Sequence, residues 1–151
     1  MRKIILFAFL MSSFTFAQSF SLSFSTGDVD IDAHLSEVNN YAKVEYNSYK
    51  SDLSVQFGIS EKEIDRYIYT EKISPGDLYF ACALSSVSGK KVGDVIALSK
   101  KKKGWGAAAK ELGIKPGSDE FHRLKSKSTG SIGKVKGNYY DNKKGKSKGK
   151  K

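Results

Sequence analysis

The chain has 151 residues with 26 basic and 16 acidic side chains, two histidines and a single cysteine. That length holds one small domain plus a tail. One cysteine excludes an intramolecular disulfide, and with only two histidines beside it no zinc-type ligand spacing exists.

The N-terminus has the layout of a secretory signal peptide. Arg2 and Lys3 are basic, the run from Ile4 to Met11 is apolar, and small and polar residues lead to Thr15-Phe16-Ala17. The expected cut follows Ala17, making residues 1–17 the leader and Gln18 the new N-terminus. The alternative is an uncleaved membrane anchor, but the apolar run is well short of the roughly 20 residues that span a bilayer. No cysteine stands next to the cut for a lipid anchor. The expected localisation is export, to the periplasm or the medium.

Charge is unevenly placed after the cut. Gln18 to Lys125 holds 15 basic and 15 acidic residues, whereas Ser126 to Lys151 holds nine lysines and one aspartate. The excess positive charge therefore belongs to the tail.

Residues 18–30 read as an extended arm, with Phe20, Leu22 and Phe24 alternating with serines. Asp28, Asp30 and Asp32 have the spacing of a calcium loop but lack its downstream glycine and glutamate. Acids enriched at a helix N-terminus account for them better.

Residues 31–125 form the expected helical domain. Leu35, Val38, Ala42, Tyr46, Tyr49, Leu53 and Phe57 recur every three or four residues, one face of a long helix ending at Gly58. Val44 and Val55 lie off that stripe, so a second buried face or a break is open. Ser60 and Glu63 make a capping box, with Ile59 and Ile64 as its hydrophobic staple. Ser74, Pro75, Ile73 and Leu78 repeat the logic. The helix they start, Pro75 to Val87, is apolar nearly all round and belongs at the centre of a bundle. Cys82 lies on it among apolar neighbours, as buried filler or as the partner of an intermolecular disulfide. A further helix through Val92, Val95, Ile96 and Leu98 ends in Lys100 to Lys103, where cations suit the helix dipole.

Gly104 to Lys125 holds the only tryptophan. Trp105, Ala108, Ala109 and Leu112 mark a short helix closed by Gly113, and Ser118 caps a last one with Asp119 and Glu120 in its first turn. The pair has a helix-turn-helix outline, and Ala109 to Ile114 resembles the first half of that motif. Asp119 and Glu120, however, occupy the end that would enter the major groove, where carboxylates meet phosphates and base acceptors.

From Ser74 to Lys125 the chain resembles a family of small exported bacterial proteins without known activity. The shared residues are Ser88-Gly89-Lys90, Val92 and Val95, Gly104-Trp105-Gly106, Ala109-Lys110-x-Leu112-Gly113, Pro116-Gly117-Ser118 and Phe121-His122. The resemblance covers about a third of the chain. It implies an all-helical exported domain and transfers no catalytic or binding residues.

The fold expected is an all-α bundle of five or six helices ending in the helix-turn-helix-like pair, followed by a disordered Lys/Gly-rich tail, 126–151. No catalytic, cofactor or metal residues are assigned, and no enzyme activity is expected. Lys134, Lys136, Lys143, Lys144, Lys146, Lys148, Lys150 and Lys151 are the expected polyanion-binding residues, for an anionic surface polymer, lipid headgroups or extracellular DNA. Trp105 with Lys101, Lys102 and Lys103 forms a second candidate contact surface, on the reading that Trp105 is exposed. The competing reading puts Trp105 in the core.

Overall fold

The computed structural model describes residues 25–130 and Ile132, and these are all-helical. The leader, the alternating part of the arm and all the tail lysines from Lys134 onward lie outside the described residues. Seven α-helices appear: α1 Val29–Val44, α2 Tyr46–Phe57, α3 Glu61–Asp65, α4 Pro75–Ser88, α5 Val92–Lys102, α6 Trp105–Glu111 and α7 Asp119–Ser128. A π turn, Arg66–Thr70, follows α3 directly.

α4 is the axis of the bundle. Every residue from Leu78 to Leu84 is buried, as expected of a helix with no polar face. α1, α2, α5, α7 and the π turn all pack on it, while α6 rests on α5. Its cap is the expected one: Asp77 N donates to Ser74 Oγ at 3.1 Å, with Pro75 in the first turn. The Ser60–Glu63 capping box is also complete. Each such cap contributes about 1 kcal/mol.

The predicted long helix is two. Tyr41 Oη donates to Asp52 Oδ2 at 2.8 Å. Eleven residues of straight helix would separate those side chains by about 16 Å along the axis. The chain breaks at Glu45 so that α1 and α2 pack side by side. Val44 and Val55, off the stripe, are 78% and 85% exposed, so there is no second buried face. This break raises the helix count above the expected five or six.

Two boundaries also move. α1 starts at Val29, with Asp28 as its cap receiving the N–H groups of Asp30 and Ile31, rather than at residue 31. At the other end the fold runs past Lys125. Tyr79 Oη donates to the carbonyl of Lys127 at 2.9 Å, and Ile132 is buried in the core. The first residues assigned to the tail by composition are part of the domain.

Lys125 ties the two ends together, donating to Asp28 at 2.9 Å and Asp30 at 2.8 Å. Asp32 accepts from Thr26 Oγ1 at 2.6 Å. The three acids are thus helix-terminal and paired, as the dipole reading requires.

These pairings set an acid limit on stability. Burial pushes the Asp28 carboxyl up, but the hydrogen bonds from Lys125, Ile31 and Asp30 together hold it below its ordinary 3.8. Ser60 holds Glu63 below 4.5, and Tyr46 and Lys50 hold Asp65 below 3.8. A carboxyl whose folded-state value is lowered contributes stability above its unfolded value, and that is lost as pH falls through the folded one. The urea midpoint should therefore be flat above about pH 5 and fall steeply below about pH 4. Asp28→Asn should shallow the fall; an unchanged profile would remove Asp28 from this account.

Candidate polyanion-binding surface

The lysine run after Leu98 ends α5 in a Schellman stop. Gly104 N donates to Ser99 O at 3.0 Å and Lys103 N to Lys100 O at 3.3 Å. Lys103, with φ of 57°, takes the left-handed position that glycine usually fills. α6 ends in the same way, with Ile114 N to Ala109 O at 2.9 Å and Gly113 N to Lys110 O at 3.0 Å, and Ile114 is buried.

Trp105 does not present a contact surface. It is 9% exposed, its ring meets Phe80 edge-on at 5.5 Å, and its Nε1 donates to Asp77 Oδ1 at 2.6 Å. This settles the choice in favour of the core and corrects its place beside Lys101 to Lys103. Of the flanking glycines, Gly106 serves close packing, whereas a Cβ on Gly104 would meet open space. A Cβ on Gly106 would lie 2.9 Å from the carbonyl oxygen of Thr26, and Gly106 N donates to Ser25 O.

The lysines do face solvent. Lys100, Lys101, Lys102 and Lys103 are all exposed, as are Lys90, Lys91, Lys110 and Lys115. Lys102 pairs with Glu111 at 3.1 Å, which brings the end of α5 beside the end of α6. The other seven make no ion pair among the described residues.

The neutral domain is in fact bipolar. Residues 25–88 contain 11 acids and five bases, whereas residues 89–117 contain eight lysines and only Asp94 and Glu111. The basic stretch is α5, α6 and their turns, and it packs on α4 through α5. Averaging charge over the whole domain hides this, and Lys90, Lys91, Lys110 and Lys115 are not singled out by sequence reasoning. A window of about 30 residues would have found them.

His34 is buried on α1, with its ring 5.8 Å from that of Tyr79, and His122 is exposed on α7. Cys82 is buried and its thiol is pushed up to about 12, by burial first and then by Glu63. An intermolecular disulfide would require α4 to open. Among the described residues no three His, Cys, Asp or Glu side chains come together as a metal site, and no helix is long and apolar enough to cross a membrane. The chain matches no family model, no curated protein and no solved structure.

Proposed function

We propose that this is a non-catalytic exported protein whose lysine tail adheres to anionic polymers of the cell envelope or its surroundings. The observation that carries the reading is the charge distribution: nine lysines against one aspartate after Lys125, on a chain that begins like a secretory leader. Lysine-rich segments bind polyanions by releasing counterions, without specific geometry. Lys134, Lys136 and the six lysines from Lys143 to Lys151 supply the charge, and Tyr139 and Tyr140 add apolar contact area.

The burial of Trp105 takes away the central residue of a protein-docking surface in that region. Asp119 and Glu120 stand in the first turn of α7, the end that a sequence-reading helix would insert into the major groove.

Two measurements test the proposal. Mass spectrometry of fractionated cells and medium should find a chain starting at Gln18 outside the cytoplasm; a chain starting at Met1 inside it overturns export. Affinity for a phosphorylated polymer should fall by about 10³-fold or more between about 50 and 200 mM salt. Replacing the eight lysines from Lys134 to Lys151 by glutamine should remove most of that affinity. Unchanged binding would discard the tail.

A further inference from the structure

We infer that the folded domain carries a second anion-binding surface, on α5 and α6, that takes a phosphodiester polymer by its backbone independently of the tail. Lys100 and Lys101 stand in the last turn of α5 with Lys103 as its cap, Lys110 is in the last turn of α6 and Lys115 follows it, all of them exposed. The Lys102–Glu111 bridge joins those two ends, so the five exposed lysines stand on neighbouring segments of chain. The α5 dipole accounts for cations in its last turn. It does not account for Lys103, past the end of that helix, or for Lys115, in the turn before α7.

The chemistry of this face selects among polyanions. Residues 89–117 contain no arginine, so the surface offers point charges without the planar fork that recognises carboxylate or phosphate bidentately. Trp105 is buried, so no base-stacking platform is present there. Among the described residues the exposed large apolar side chains are Val29, Val44, Val55 and Tyr69. They belong to α1, α2 and the π turn, in the acidic stretch, so the lysine face has no wedge for a lipid surface. What is left is Coulombic contact with a string of phosphates.

The test uses the full-length chain and a duplex DNA of about 20 bp and arbitrary sequence, titrated by fluorescence anisotropy from about 50 to 200 mM salt. One variant carries Lys100→Gln, Lys101→Gln, Lys103→Gln and Lys110→Gln. A second carries glutamine at the eight tail lysines, and a third combines both sets. Circular dichroism verifies that each is folded. The tail variant should keep salt-dependent binding, with a slope of log affinity against log salt of about −3, and the combined variant should lose it. If the tail variant binds nothing while the unmodified chain binds, the inference falls and the tail proposal stands. If the four α5–α6 substitutions alone abolish binding and the tail set changes nothing, the reverse holds. An unmodified chain that does not bind at low salt sinks both. If the tail variant binds vesicles of anionic lipid but not the duplex, the polymer assignment is overturned.

Discussion

Trp105→Ala should destabilise the domain by about 3–5 kcal/mol, the range for truncating a buried aromatic. The side chain fills space between α6 and α4, edge-on to Phe80, and its indole N–H ends on Asp77. Asp77 also accepts from the hydroxyl of Ser74, the α4 cap. The substitution therefore opens a cavity and also leaves a carboxylate oxygen at the start of the central helix without its donor. Against a total stability of about 5–15 kcal/mol, this should lower the thermal midpoint by more than about 10 °C. Trp105→Phe retains part of the packing but not the donor, and should cost about 1–3 kcal/mol. Thermal melts by circular dichroism measure both. A midpoint within about 2 °C of wild type for the alanine variant would contradict the buried position.

Tyr49→Ala should have an effect of similar size, about 3–5 kcal/mol. Tyr49 is fully buried on α2, and its hydroxyl donates to the carbonyl of Pro75 at 2.9 Å. Burial, reinforced by Cys82, Tyr46 and Tyr79, holds the phenol well above its ordinary 10.0. It therefore stays a donor at every pH at which the fold persists. Tyr49→Phe keeps the ring and orphans the carbonyl, which should cost about 1–3 kcal/mol. Urea unfolding should show a lower midpoint with an unchanged slope. A Tyr49→Phe loss below about 0.5 kcal/mol would mean that water reaches the Pro75 carbonyl.

The two predictions meet at one place. The first turn of α4 receives Tyr49 from α2 at Pro75, and Trp105 from α6 at Asp77. Between them, Asn39 of α1 accepts the N–H of Gly76 at 2.8 Å. Three separate helices are fastened to three consecutive residues. These three bonds make the turn a structural junction.

The local punctuation was legible in the sequence. The Ser60 and Ser74 caps, the apolar α4, the Gly113 stop and the Ser118 cap all arise from residues within a few positions of each other. Their hydrogen bonds form within one turn of chain. Periodicity also identified the buried faces of α1 and α2. It could not place the break at Glu45, because the stripe runs on through it and the Tyr41–Asp52 bond that exploits the break is tertiary.

The rest depended on what each side chain meets in space. The composition of residues 126–132 resembles that of the tail, yet Tyr79 and the core claim them. A tryptophan between two glycines reads as core rather than platform on general grounds, but what it packs against is known only once Phe80 and Asp77 are brought opposite it. Lysines at the end of α5 are accounted for by a local dipole until Glu111 sets α6 beside them. By itself the sequence determined the buried helix faces and the caps at Ser60, Ser74 and Ser118, because those energies are local and repeat along the chain. Tertiary structure alone decided where the long stripe breaks and which polar groups pair across helices, because those distances depend on how the helices pack.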